Sequence, residues 1–548
     1  MTDASDSEGH RGRFRRIPRE LGGSTLVLLL LSGAYPYAAF VGANRGESLP
    51  IPRLAVYAVS TALLALVVCL ALLVIFRRLR GPRLAVAAAV FIFLFFNYVR
   101  FVNIGTGGTG ASLWMLAVLF GVLGGYVLAR FSAVRLYVLA AVFLLTGFPV
   151  AQYSIFRASV SADVPSRAAS GTLSGVTEKP NIWFFMLDGY ARGDRFPIEL
   201  GRDNTEFIAG LRNRGFAVNE NSYSSYSHTI GSLSSMLEMD YPSTGRLPGG
   251  ERTLVPVVRG ENALVRTLKS SGYTYVHAEP GTWEVNRCES TADVCLPPLR
   301  GAGVAIGEVE QSLMSLTPLR KALRKLGVKA AIDSGYTTPT HTIDEFDAAR
   351  PKAPYFVFSH QLSPHPPWRF GPDCTEFDQL VGELGFWDPE FKDDYIGEVE
   401  CLNRRMLEAM DRIVAADPKA IVVILSDHGT GFDVEFTKDA AKWSLREINQ
   451  RFAAFSAVRM PERCPQDEQA INFTVNTFRR VIACIENRPP RLLDYRAFVV
   501  LKKRHALLMD EVKRRGFPAE LADQALPARS GPSADATEGP TTTHSGGP

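Results

Sequence analysis

Charge imbalance is one thing this chain lacks. Its 60 basic and 56 acidic residues leave a net charge of only +4 over 548 residues, so nothing marks it as a general nucleic-acid binder. The apolar runs that fill its first 155 or so residues contain almost no ionisable side chains, whereas a transporter would carry polar or ionisable groups within its spans. Cysteine is scarce as well, with seven in all and no pair at the two-residue spacing of a zinc knuckle. No single small-residue cleavage site stands out, and the hydrophobic stretches recur, so a cleaved signal peptide is a poor reading. The soluble part shows no internal repeat, and 548 residues are too many for one compact domain.

What is abundant is hydrophobic sequence at the amino end. Five candidate membrane helices run near 23–43, 54–76, 84–102, 113–130 and 136–153, each close to the roughly 20 residues a bilayer requires. Arg11, Arg13, Arg15, Arg16 and Arg19 precede the first span, Arg77, Arg78, Arg80 and Arg83 follow the second, and Arg130 and Arg135 follow the fourth. The alternate loops carry only Arg45 and Arg53, partly balanced by Glu47, and then Arg100. The positive-inside rule places the amino terminus in the cytoplasm, and an odd number of crossings delivers everything after residue 155 to the outside. Cys69 lies in a span, while Cys288, Cys295, Cys374, Cys401, Cys464 and Cys484 fall in the exported part. An even count there favours disulfides, with Cys288 and Cys295 the best local pair across a short polar loop.

The organisation expected from these patterns is a basic cytoplasmic tail (1–22), a transmembrane domain (23–155), a linker rich in Ser, Ala, Gly and Thr (156–178) and a catalytic domain (179–487). A charged helical appendage (488–525) and a disordered tail (526–548) follow. Within 179–487, strand-like runs at 181–187, 273–276, 355–359, 421–425 and 452–458 alternate with amphipathic helical stretches such as 395–415. Alternation of this kind predicts an α/β domain with a central, mostly parallel sheet.

Two of those strands end in acids. The run Ile421–Leu425 leads into Ser426-Asp427-His428-Gly429, and Asn181–Leu187 leads into Asp188-Gly189. Ligands of open α/β sheets bind outside the carboxyl ends of the strands, so Asp188, Asp427 and His428 predict a shared metal site. Thr229 opens a helix-like segment, where backbone N–H groups favour an anion. A divalent ion shared with its oxygen would make Thr229 a usable nucleophile. His360 ends a third strand and His365 follows in a Pro-rich loop; either can donate to a phosphoryl oxygen or protonate a leaving alcohol. Each residue alone has a plainer explanation: Asp188-Gly189 as a turn, Thr229 as a helix cap, His360 as a core histidine, His365 as part of a rigid loop. His277 is read as structural. Ser426-Asp427-His428-Gly429 is the exception, and it is the conjunction of all these strand ends that points to a site.

On these residues the chain resembles the membrane-bound members of the sulfatase/alkaline phosphatase superfamily, in particular phosphoethanolamine transferases and lipoteichoic acid synthases. The carriers are Pro180-Asn181-Ile182 leading to Leu187-Asp188-Gly189, the Thr229 segment with Ser232, Leu233 and Met236, Pro364-His365-Pro366, and Ser426-Asp427-His428-Gly429. The resemblance implies Thr229 as nucleophile and metal contact, Asp188, Asp427 and His428 as metal ligands, and His365 as a phosphate-binding residue. It also implies one zinc or manganese ion. Formylglycine sulfatases place Pro two and Arg four positions after the modified residue; here Arg300 comes one position late after Cys295, and the segment lies at the wrong distance from the first acidic strand. Two-zinc enzymes need a late histidine, and none lies between His428 and His505.

The expectation is a multi-pass inner-membrane protein whose external, metal-dependent domain moves a phospho-alcohol group through a threonine-linked intermediate. The donor would be a lipid-linked phosphate and the acceptor an envelope glycan or lipid. The alternatives are a sulfatase or phosphodiesterase acting with water, and an inactive scaffold or transporter.

Overall fold

The computed structural model describes residues 23–45, 49–75, 81–98, 131–159, 171–176, 178–281, 283–299, 308–319, 336–382, 387–464, 466–503 and 506–513. Among the described residues four apolar helices come first: α1 (Gly23–Ala43), α2 (Ile51–Ile75), α3 (Gly81–Phe96) and α4 (Ser132–Ser159). Three of them, α1, α2 and α4, are long and apolar enough to cross a membrane, and α3 contains a shorter apolar stretch. The expected count of five spans is not confirmed, because the span expected at 113–130 lies outside the described residues. In lipid there is no hydrophobic drive between helices, so close backbone approach has to supply the packing. Gly33 of α1 does this: a Cβ on it would stand 2.6 Å from the Cα of Ala62 in α2. Helix α4 runs to Ser159, four residues into the stretch expected as linker.

The second half is built on a seven-stranded sheet. Its strands are β1 (Ile182–Leu187), β2 (Ala217–Val218), β3 (Thr274–Ala278), β4 (Val294–Leu296), β5 (Tyr355–Gln361), β6 (Ile421–Ser426) and β7 (Ser456–Arg459). The spatial order is β2-β7-β6-β1-β5-β3-β4, parallel from β6 through β4, with β7 and β2 antiparallel at one edge. A parallel sheet needs cover on both faces, which is why its central strands read as unbroken apolar runs. In β1, Ile182, Phe184 and Met186 enter one core with Ile230 and Leu233, while Trp183, Phe185 and Leu187 enter the opposite core with Val399, Met406 and Met410. The second set belongs to the long helix Lys392–Ala416, the expected amphipathic stretch. Each fully buried aliphatic or aromatic residue of this kind contributes about 1.5–3 kcal/mol.

The expected helical appendage takes a different form. Phe498–Lys503 and Ala506–Glu511 are antiparallel strands that extend through Arg246–Leu247 into a three-stranded sheet. Phe498 packs in one core and its neighbour Val499 in another. With both faces buried, the run shows no clean two-residue alternation, and its flanking charges imitate a helical surface. Cys288–Cys295, Cys374–Cys401 and Cys464–Cys484 are disulfide-bonded, the first being the expected local pair. The tails 1–22 and 526–548 lie outside the described residues.

Candidate active site

The register of β1 against β6 pairs Leu187 with Ser426, so Asp188 and Asp427 leave neighbouring strands at the same level. On its other side β1 pairs Met186 with His360 of β5. Three of the residues picked out by sequence are thereby collected at one sheet edge by strand geometry alone. The Asp188 N–H donates to the Gln361 carbonyl at 3.0 Å, which prolongs the ladder by one residue.

Asp427 is fully buried. Its Oδ1 accepts from the backbone N–H groups of Gly189 and His428, both at 2.9 Å. Burial works against this carboxylate, yet His428 and the Gly189 N–H hold it well below the ordinary range. Its Oδ2 stands 2.9 Å from His428 Nε2, and Asp188 Oδ1 stands 3.9 Å from the same nitrogen. His428 Nδ1 lies 2.9 Å from the Gly429 carbonyl, which fixes its proton on that side and leaves Nε2 as a lone pair. Burial, with Arg451 beside it, lowers the pKa of this histidine.

Three lone-pair atoms thus converge. Asp188, Asp427 and His428 offer ligand atoms lying within 4.8 Å of one another, and Asp188 Oδ1 and Asp427 Oδ2 are buried without a hydrogen-bond partner. Orphaned buried oxygens of this sort are costly unless a cation completes them. Two carboxylates and an imidazole suit zinc or manganese, so the residues present fit such an ion.

Thr229 is the first residue of the helix Thr229–Glu238, with His228 in the capping position. Its Oγ1 lies 3.2 Å from His428 Nε2, at the same focus. Gly231 lets this helix begin here, since a Cβ on it would meet the Tyr226 ring at 2.9 Å. His365 is half-buried, its ring centroid 6.5 Å from that of His428 and 5.4 Å from that of Trp387. His360 is fully buried on the far side of Asp188, its Nε2 3.3 Å from Asp188 Oδ2. His277 lies deeper, between the Tyr275 hydroxyl at 2.8 Å and the Asn286 carbonyl at 3.2 Å.

Arg451 escaped the sequence reading. This buried guanidinium donates to the carbonyls of Ser227 at 2.8 Å and Gly429 at 3.2 Å, and through Nη2 to His428 Nε2 at 2.9 Å. Burial brings its pKa down to about 10, so it stays charged at neutral pH. An ion on His428 Nε2 would displace that last bond and leave the guanidinium as a second positive group at the same focus. In sequence Arg451 is one charge among several in the helix Leu445–Phe452. Only the return of that helix onto Gly429, whose N–H donates to the Arg451 carbonyl at 2.8 Å, brings it to the site.

A sulfatase family model matches residues 180–452. A search of the curated proteins finds no match. Among solved structures, the C-terminal periplasmic domain of EcEptC from Escherichia coli is 13% identical, with 65% of this chain and 99% of that one covered at a TM-score of 0.41. The integral membrane lipooligosaccharide phosphoethanolamine transferase A of Neisseria meningitidis is 13% identical, with 85% and 96% covered at 0.37. The phosphonate monoester hydrolase of Agrobacterium radiobacter is 12% identical, with 59% and 80% covered at 0.36. Residues 180–452 form a sulfatase-family domain, the domain of an ester hydrolase or transferase.

Proposed function

We propose that the protein is a single-metal phosphotransferase of the cell envelope with Thr229 as its nucleophile. One observation carries this reading: Thr229 Oγ1, Asp427 Oδ2, Asp188 Oδ1 and Arg451 Nη2 all gather within 3.9 Å of His428 Nε2. Nucleophile, anionic ligands and a fixed cation then share one focus. A divalent ion held by Asp188, Asp427 and His428 would lower the pKa of the Thr229 hydroxyl and screen charge on the phosphoryl oxygens.

The protein's own groups do the rest. Thr229 sits at a helix amino terminus, whose free N–H groups face an arriving anion. Its hydroxyl gives up its proton to solvent, and its oxygen forms a bond to phosphorus while the phosphorus–oxygen bond to the donor alcohol breaks. His365, at the half-buried side of the site, gives a proton to that leaving oxygen. Arg451 takes charge from the equatorial oxygens, the kind of fixed donor that is worth most in a dry site. An acceptor hydroxyl then repeats the displacement in reverse and frees Thr229.

The apolar helices support a lipid-linked donor and an envelope glycan or lipid acceptor, since an anchored site works at high local donor concentration. The arginine asymmetry supports a cytoplasmic amino terminus, with the domain on the external face of the inner membrane. Formylglycine chemistry at Cys295 is disfavoured because that sulfur is joined to Cys288.

The test is acceptor dependence. With a phospholipid donor in micelles, added glycan acceptor should speed release of the enzyme-bound group. Release at the same rate in water alone would make the protein a hydrolase. Thr229→Ala should be inactive and Thr229→Ser partly active.

A further inference from the structure

Asp188 is reached from the membrane helices by a continuous series of side chains that the transfer itself does not use. At the outer end, Arg53 in the first turn of α2 donates Nη1 to Glu284 Oε1 at 2.8 Å and lies 3.4 Å from Glu310 Oε1. The Tyr57 hydroxyl closes on that same Glu310 oxygen at 2.6 Å. Glu310 belongs to the short helix Glu308–Ser315, whose Val309 and Leu313 are buried with Tyr37, Val41 and Leu54 of α1 and α2. The contact is therefore packed as well as charged.

Glu284 opens the single turn Glu284–Asn286. The turn is gripped from the catalytic domain too, by Arg287 on the Glu284 carboxylate at 3.2 Å and by Arg259 on the Glu284 carbonyl at 2.6 Å. At its inner end Asn286 is fully buried. Its carbonyl meets His277 Nε2, and its Nδ2 lies 3.3 Å from His360 Nδ1. Trp283, just before the turn, sets its ring edge-on to His360, with centroids 5.1 Å apart at 82°.

His360 in turn faces Asp188. With the Asn286 amide donating to Nδ1, the proton of a neutral His360 lies on Nε2, 3.3 Å from Asp188 Oδ2. The reversed amide would leave a bare nitrogen lone pair against a carboxylate oxygen, which is repulsive. A proton on Nε2 faces Oδ2 at ion-pair distance without completing a hydrogen bond and attracts that oxygen, while the likewise unpartnered Oδ1 stands 3.9 Å from His428 Nε2. Groups that orient ligands in this way govern metal affinity by about 10–100-fold.

We propose that His360 is a positioning residue for the metal ligand Asp188, and that the Arg53–Glu284 ion pair steadies the turn carrying Trp283 and Asn286 against it. Attachment to α2 then sets how tightly the external site holds its ion. This inference rests on the reading of Asp188 as a metal ligand.

The experiment uses the full chain in lipid nanodiscs and measures zinc affinity by competition with a chromophoric chelator, with melting temperature recorded alongside. His360→Ala should weaken zinc by at least tenfold, and His360→Gln, which keeps an N–H donor, should recover much of the loss. Arg53→Met and Glu284→Gln should each weaken zinc several-fold, and Arg53→Lys should restore it. Two variants on opposite sides of the ion pair guard against one of them misfolding. A merely structural role would lower the melting temperature and leave zinc affinity alone, and that result overturns the proposal. Unchanged affinity in the His360→Ala protein, or in both Arg53→Met and Glu284→Gln, overturns it as well. Asp188→Ala separates the two layers. If it abolishes zinc binding while the other variants do not, the inference alone fails; if it leaves zinc binding intact, the reading beneath it fails too.

Discussion

Leu187 and Ser426 are register partners in adjacent parallel strands, and that single pairing sets Asp188 and Asp427 side by side where the sheet ends. A slip of one residue would turn either acid to the other face of the sheet. The candidate metal site is in this sense a product of strand register, held by two cores that pack against alternate residues of β1.

The first prediction concerns the ion. Asp427→Asn and His428→Ala each remove one ligand while sparing the strand behind it. Elemental analysis should show metal content and activity falling together in both, and a chelator should inactivate the wild type reversibly. Full metal content in both variants would mean that the ion binds elsewhere.

Arg451 supplies the second. Arg451→Met keeps much of the side-chain bulk but loses the donors to Ser227, Gly429 and His428. Turnover should fall by about 10²-fold or more, the usual effect of removing a preorganised donor, with zinc content retained. A variant that turned over normally would remove Arg451 from the transfer step.

Much of this arrangement was legible in the sequence, for identifiable reasons. Strands β1 and β6 announce themselves because both their faces are buried, and Asp188, Asp427 and His428 follow them directly in the chain. Thr229 was legible as a helix start. Arg451 and Asn286 were not, because each reaches the site through a tertiary contact: Arg451 through the return of its helix to Gly429, Asn286 through a turn lodged beside His360. The hairpin Phe498–Glu511 was misread as helix because its burial is divided between two cores and masks the period of a strand.

Glu199 gives a pH prediction. Burial raises its pKa to about 7, with Arg195 only partly opposing. A carboxyl whose folded pKa lies above its unfolded value favours the fold most at low pH, and the benefit is lost as pH rises through the folded value. Wild-type stability should therefore fall between about pH 4.5 and 7, by on the order of 3 kcal/mol at about 1.4 kcal/mol per unit. Asp194, held near 2 against its burial by Arg192 and Arg195, stays ionised across that window and adds no slope. Chemical denaturation at pH 5 and pH 8 should show the loss in the wild type and a flatter profile in Glu199→Gln. Equal slopes in the two proteins would contradict the assignment.

Gly429 tests the backbone of the site. A Cβ there would stand 2.2 Å from the Gln450 carbonyl oxygen and 3.0 Å from that of Ala453. Neither neighbour is a side chain that can swing away. Gly429→Ala should cost about 1–3 kcal/mol, read as a lowered melting temperature, and should weaken the Arg451 contacts and hence activity. A melting temperature equal to wild type would show that the helix Leu445–Phe452 can retreat without strain.

The central claim is that Thr229 carries the transferred group. Intact-mass analysis of the purified protein after incubation with a phospholipid donor, followed by peptide mapping, tests it most directly. The account predicts an added phospho-alcohol mass on the peptide containing Thr229, absent from Thr229→Ala and discharged by an acceptor. An unmodified Thr229 in protein that is demonstrably turning over, with the reaction quenched at several times, would contradict it.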